Sequence, residues 1–514
     1  MPPRSDSPGL TPLRQHPHLY EINTWAWLEK LSRNAGVRIT LGQVPDQEWD
    51  ALAKMGFDLV WLMGMWQRSP ESRRIFRTDP ASFAGFDAAL PGWKLDQVVG
   101  SPYAVREYQP DARIATWAEL DDVRERLHHR GMRLILDFVP NHTALDHPWT
   151  RAHPQYYIRG TLEDFRREPG AFFLVEPENG DCEMIARARD PYFPPWQDVA
   201  QLNFFEPEAR KALRMQLREI ANHCEGVRCD MAMLVLNDIF AKTWDPLLRG
   251  RKPPATEFWA EARSFLPEFI LLAEAYWSTE QRLLELGFSF VYDKGFYDAL
   301  RDSKSAEARA RLEADFSFQT RLARFLENHD EKRSAVVFAQ RLEAAGTLLA
   351  TAPGMRFYHQ GQFEGKKIHL PVALGFAADE PPDPATKDFY DRILALTRED
   401  VFHSGRWRLR QASSAGDTTF ENLIVYEWQL EKTWKLIIAN VSGATTQARI
   451  HLGDAISTTS DYIFFDALHN LGYRRKGSEI HDSGLYIRLD PWRAHLFDIS
   501  PASFRPGVPS PDPQ

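Results

Sequence analysis

Apolar residues in this chain form short runs, and each run follows an amphipathic stretch that ends at a glycine. Asp46 reads as the N-cap of a helix through Met55, with Trp49, Leu52 and Ala53 on one side. Gly56 stops it, and Phe57 to Met63 reads as an apolar strand. Thr116 to Arg130, with Trp117, Leu120, Val123 and Leu127 at helical spacing, gives way at Gly131 to Met132–Leu136. Pro207, a first-turn residue, opens a helix that stops at Gly226, and Thr279 to Leu286 stops at Gly287 before Phe288 to Tyr292. Glycine supplies the left-handed conformation that closes a helix. Strands apolar on both faces belong to buried parallel sheets, and helices alternating with them point to an α/β fold. Eight strands, near residues 20, 59, 134, 228, 271, 290, 325 and 356, predict a (β/α)8 TIM barrel rather than an open sheet.

Two stretches depart from that rhythm. About 60 residues rich in aromatics, prolines and charges separate Asn141 from Pro207, too many for a loop. They predict a small inserted domain after strand 3. Beyond residue 400 the runs shorten, as in Asn422–Tyr426, Leu436–Ala439, Tyr462–Phe465 and Leu485–Ile487, with turn residues between them. That texture predicts a C-terminal antiparallel β-sandwich. The expected division is 1–17 a disordered lead-in, 18–400 the barrel interrupted at 143–204 by the insertion, 401–500 the sandwich and 501–514 a loose tail.

Composition narrows the function. A net charge of -9, a pI near 6.0 and the absence of a Lys/Arg-rich tract argue against a nucleic-acid partner. No run approaches the ~20 apolar residues of a membrane span, and the proline-rich start does not read as a signal peptide. Three cysteines form no disulfide framework and have no zinc-site spacing. A cytoplasmic protein is expected, with its oligomeric state open.

The chemistry lies at the strand ends. Arg228 and Asp230 are two apart on one strand and so project to the same face. Asp137, Glu274 and Asp330 also end apolar runs. In a (β/α)8 barrel, active sites form where the strands end, so these acids would share one pocket. A pair of carboxylates flanking a bond is the apparatus of glycoside cleavage. Arg228 is placed to keep Asp230 ionised, and Glu274 between two alanines suits a general acid. Taken singly, each acid could equally cap a helix or bind an arginine.

The local sequences are more specific. Asp137-Phe138-Val139-Pro140-Asn141-His142, Gly226-Val227-Arg228-Cys229-Asp230, Ala273-Glu274-Ala275 and Glu327-Asn328-His329-Asp330 resemble the four ordered sequence regions of the α-amylase family, glycoside hydrolase family 13. The resemblance implies a retaining enzyme acting on α-glucosidic bonds of maltooligosaccharides or related α-glucans. By it Asp230 is the nucleophile, Glu274 the acid/base and Asp330 the residue that holds and distorts the sugar. It implies sugar contacts from Arg228, His142, His329 and Tyr103, with Asp137 and Asn141 in supporting positions. Outside that context His142 reads as a buried backbone partner and His329 as a turn residue. Trp66, Trp149, Trp196 and Trp277 read singly as core, with a sugar platform as the alternative.

Met231-Ala232-Met233-Leu234 departs from the family. Many members place a Lys-His pair where Met233 and Leu234 stand, and those residues bind the leaving-side sugar and help hold calcium. The reaction needs no cofactor; calcium stays open as a ligand although the missing pair puts the usual calcium site in doubt, and no metal ligands are assigned. An α-glucan transglycosylase (a glucanotransferase or maltosyltransferase) with the same acids is the alternative, and a non-catalytic carbohydrate-binding protein on the same fold is the second.

Overall fold

A computed structural model of the chain describes residues 11–178 and 180–502. Eight parallel strands close into a barrel: β1 (His18–Asn23), β2 (Leu59–Met63), β3 (Arg133–Phe138), β4 (Gly226–Cys229), β5 (Ile270–Ala273), β6 (Phe290–Tyr292), β7 (Leu322–Arg324) and β8 (Met355–His359). Each neighbours the next in sequence, and β8 returns to β1. All eight lie where the apolar runs predict. β2 shows why, since all five of its residues are buried and both of its faces are apolar.

Local signals set most element ends. Thr116 caps the helix Trp117–His128 in a reciprocal box: its hydroxyl accepts from the Glu119 N–H, and Glu119 accepts from the Thr116 N–H. Gly56, Gly131 and Gly287 have the left-handed backbone expected of them. Three details differ. Pro45, not Asp46, caps the helix Asp46–Met55, and Asp46 sits in its first turn. The helix opened by Pro207 ends at Ile220, well before Gly226. Gly226 is instead the first residue of β4, and it is small because the barrel wall is tight there. A Cβ at Gly226 would lie 2.5 Å from the Ile270 carbonyl oxygen and 2.8 Å from Ile135 Cδ1. Backbone cannot yield to that contact, so Gly226→Ala is expected to cost about 1–3 kcal/mol, read as a lower midpoint in thermal or urea unfolding.

Two excursions rise from the strand ends. The one after β3 contains the antiparallel pair His142–Ala144 with Val199–Gln201 and the hairpin Phe172–Val175 with Glu183–Ala186. The other, after β2, carries the antiparallel pair Trp66–Arg68 with Val105–Pro110 and the helices Pro70–Thr78 and Pro80–Ala89.

Beyond the barrel lie a six-stranded and a three-stranded antiparallel sheet. Alternation along Leu423–Leu430 explains how the larger sheet is held. Leu423 and Val425 face the smaller sheet's Ala448, Ile450 and Ile487, while Ile424, Tyr426 and Trp428 join the barrel's core. Trp428 Nε1 donates to the Thr351 carbonyl at 2.7 Å.

The lead-in is a correction. Met1 to Leu10 lie outside the described residues, but within 11–17 the chain is anchored by Arg14 and His16. Arg14 Nε donates to Asp58 at 2.6 Å, and fully buried His16 accepts from the Gly354 N–H through Nδ1 at 2.8 Å. Residues 503–514 of the expected tail also lie outside the described residues. Among the described residues, no helix is long and apolar enough to cross a membrane.

Candidate active site

The barrel registers place the charged side chains. Arg228 pairs with Asp137 across β4 and β3, and Glu21 pairs with Trp61 and His359 on either side of β1. Asp230 and Glu274 stand one residue beyond their strands. The Asp230 N–H donates to the Phe138 carbonyl at 2.9 Å and the Glu274 N–H to the Cys229 carbonyl at 3.0 Å. Both acids are thus fixed by backbone continuing the sheet ladder.

Arg228 is fully buried and serves both. Its Nη1 donates to Asp230 Oδ1 and its Nη2 to Glu274 Oε2, each at 2.6 Å. Glu274 Oε2 also accepts the Met231 N–H at 2.7 Å, and Oε1 accepts the Tyr276 hydroxyl at 2.8 Å. Burial pushes the Glu274 carboxyl up; Arg228 pulls it down, and the charges of Asp230 and Asp330 push it up again. It comes to rest at about 7. Burial also raises Asp230, against the pull of Arg228.

Asp330 belongs to a second chain of contacts. His329 Nδ1 donates to Glu21 Oε1 at 2.5 Å, and its Nε2 lies 3.0 Å from Asp330 Oδ2 and 2.7 Å from the Tyr103 hydroxyl. Burial opposes charge on His329, but Asp330 and Glu21 outweigh it and hold the imidazole protonated well above its usual range. Burial likewise works to raise Asp330, and the imidazolium carries it down instead. Water screens part of that pull, because 49% of the Asp330 side chain is exposed. The Tyr103 ring stacks on His329 with centroids 5.3 Å apart, and the Arg228 guanidinium lies 5.2 Å from its centre.

Asp230, Glu274, Asp330, Arg228, His329 and Tyr103 therefore form one connected cluster. His142 borders it beside the Tyr103 backbone, and its ring stands 5.4 Å from Trp196. Burial lowers His142 to about 4, so it is neutral. Asp137 is structural, accepting from Trp61 Nε1 at 3.1 Å and the Gly64 N–H at 2.7 Å. Met233 is buried within the barrel's core, and Leu234 beside it is buried as well. Trp66 is core, while Trp277 is 39% exposed and meets the exposed Tyr192 edge-on at 5.0 Å. Three non-glycine residues here have left-handed backbone: Met231 after Asp230, and Trp277 and Ser278 after Tyr276. Such strain persists only where its surroundings enforce it.

Sequence reasoning missed Glu21 and gave Tyr276 no role. The one acid of β1, set between Tyr20 and Ile22, was the available signal for Glu21.

Asn141 does not fit a calcium ion. Its Oδ1 and its carbonyl oxygen each lie 3.0 Å from Gln201 Nε2, as does the Leu202 carbonyl. An amide donor already fills the space between oxygens that a cation would have to share, and calcium takes six to eight of them.

The sequence model of the family described as "Alpha amylase, catalytic domain" matches residues 47–373. The chain belongs to the α-amylase family. It is 28% identical over 458 residues to alpha-amylase MalA of Haloarcula japonica, covering 84% of this chain and 58% of the relative. It is 23% identical over 282 residues to alpha-amylase 3 of Dictyoglomus thermophilum, covering 49% and 52%. The chain thus matches little more than half the length of these curated relatives. Among solved structures, the noncanonic maltogenic alpha-amylase AmyB of Thermotoga neapolitana shares the fold, with a TM-score of 0.65, 20% identity, and 94% of this chain and 98% of that one covered.

Proposed function

We propose that this α-amylase-family chain cleaves α-glucosidic bonds of maltooligosaccharides or related α-glucans with retention of configuration. Asp230 attacks the anomeric carbon, and Glu274 protonates the departing oxygen and later takes a proton from the incoming water. Asp330, His142, His329, Arg228 and Tyr103 hold the sugar or the acids that act on it. The division into a barrel at 18–400, an insertion at 143–204 and a C-terminal part at 401–500 belongs to this proposal.

One observation carries the reading: a single buried guanidinium sits between Asp230 and Glu274 and bonds both, while burial raises the proton affinity of each and brings Glu274 to about 7. Two carboxylates on one guanidinium agree with the short spacing of a retaining pair, about 5–5.5 Å. The exposed pair Trp277 and Tyr192 favours transfer as the second reading, since aromatic faces near the acid suit an acceptor sugar.

The test is an anomer-resolved NMR time course on maltose through maltoheptaose, run across pH. Products first appear in the α configuration. The ratio kcat/KM falls as pH rises through about 7, because the general acid must be protonated. β-configured first products would show an inverting enzyme. Binding without any turnover would favour the non-catalytic reading.

A further inference from the structure

A second cluster of ligating side chains lies outside the cleft, in the C-terminal sheets. Asp466 ends the strand Asp461–Asp466, His469 sits in the turn after it, and His495 is on the adjacent strand Ala494–Pro501. Among the described residues, this is the one trio of His, Cys, Asp or Glu whose ligand atoms all lie within 4.8 Å of one another. Both imidazoles aim the same nitrogen at one carboxylate oxygen: Asp466 Oδ2 is 2.7 Å from His469 Nδ1 and 2.6 Å from His495 Nδ1.

We propose that Asp466 Oδ2, His469 Nδ1 and His495 Nδ1 bind a divalent transition-metal ion such as Zn2+, with the fourth position left to solvent. Two imidazole nitrogens and one carboxylate oxygen suit Zn2+, Co2+ or Ni2+ and not calcium. Asp466 is fully buried, and its other oxygen accepts the N–H groups of Leu468 at 3.1 Å and Leu496 at 3.3 Å. That fixes the carboxylate with Oδ2 directed at the imidazoles. The remote nitrogen of His469 lies 3.4 Å from both Glu343 Oε1 and Arg493 Nη2, and the carboxylate is the outer partner that ligating histidines commonly have. His495 is braced by Phe497, whose ring stacks on it at 4.7 Å. The histidine side chains are 23% and 15% exposed, so an ion has a path in. A metal about 2.0–2.1 Å from each atom sets the ligands about 3.3 Å apart, so the trio opens by about 0.6 Å on binding.

The position gives the ion a consequence. Glu343 stands on the helix Leu342–Thr351 of the barrel, accepts the Ala494 N–H at 2.9 Å and pairs with Arg493 at 2.7 Å. A metal held by His469 and His495 therefore tightens the seam between the barrel and the C-terminal sheets. It competes with protons for both Nδ1 atoms, so affinity rises with pH.

The full chain, stripped with a chelator, is titrated with Zn2+ by calorimetry and with Co2+ by visible absorption. One equivalent binds, Co2+ gives a d–d band, and Zn2+ at 100 times its Kd raises the melting midpoint by about 3–5 °C. His469→Asn and His495→Asn each lower affinity at least about tenfold. Should either variant fold poorly, anomalous diffraction at the zinc edge on wild-type crystals locates the ion. Binding below a tenth of an equivalent at millimolar Zn2+, or an anomalous peak elsewhere, overturns the proposal.

Discussion

Asp230→Asn lowers kcat on maltooligosaccharides by about 10³-fold or more, and Glu274→Gln by about 10²–10⁴-fold. Both variants keep melting midpoints near the wild type. Neither substitution changes shape, and Arg228 retains one carboxylate partner in each. The two losses separate by rescue. Aryl glucosides with acidic leaving groups need no proton, so Glu274→Gln regains most of its first step on them. Asp230→Gly regains turnover with azide, which attacks the anomeric carbon from the face the carboxylate vacates. The bond to the leaving oxygen breaks as Glu274 supplies its proton, and the product is the β-glucosyl azide. A folded Asp230→Asn protein within about tenfold of wild-type turnover would remove Asp230 from the nucleophile role.

Arg228→Met acts on both activity and stability. The guanidinium is fully buried, and its loss strands two buried carboxylates. Breaking a buried ion pair by removing one partner costs about 3–5 kcal/mol. The cost depends on pH. Stranded carboxyls have folded-state pKa values above their unfolded ones, so the folded state holds the extra protons and stability falls as pH rises. The wild type already shows this sign at Glu274. Its rise from 4.5 to about 7 withdraws stability progressively across that interval and no further above it. The gap in melting midpoint between variant and wild type therefore widens from pH 5 to pH 8. A gap independent of pH would mean that Arg228 acts through packing alone.

All eight barrel strands were legible because buried parallel strands are written as local apolar runs, and glycine closed the helices at Gly56, Gly131 and Gly287. Gly226 misled because a glycine before a strand has two physical uses, and close packing against Ile270 leaves no mark in the neighbouring sequence. The excursion between Met63 and Thr116 escaped because its strands are short and half-buried, with irregular register between Trp66 and Arg68. In the site, the short motifs bring their own residues together, but the partners that tune them come from elsewhere. Glu21 is 308 residues from His329, and no periodicity links the two. Tyr276 was visible as a neighbour of Glu274, yet only the folded loop, strained at Trp277 and Ser278, turns its hydroxyl back onto that acid.

The shared guanidinium also acts as a clock for the proposed reaction. When Asp230 becomes an ester its negative charge disappears, and with it one of the influences that raised Glu274. Arg228 then has a single carboxylate to neutralise. The acid that gave up its proton in the first half-reaction no longer attracts one back strongly, so it waits ionised, ready to take a proton from water. Release of the sugar restores the charge on Asp230 and rewinds Glu274 to its protonated form. The order of the two steps is thus enforced by one cation with two creditors, without any movement of the backbone.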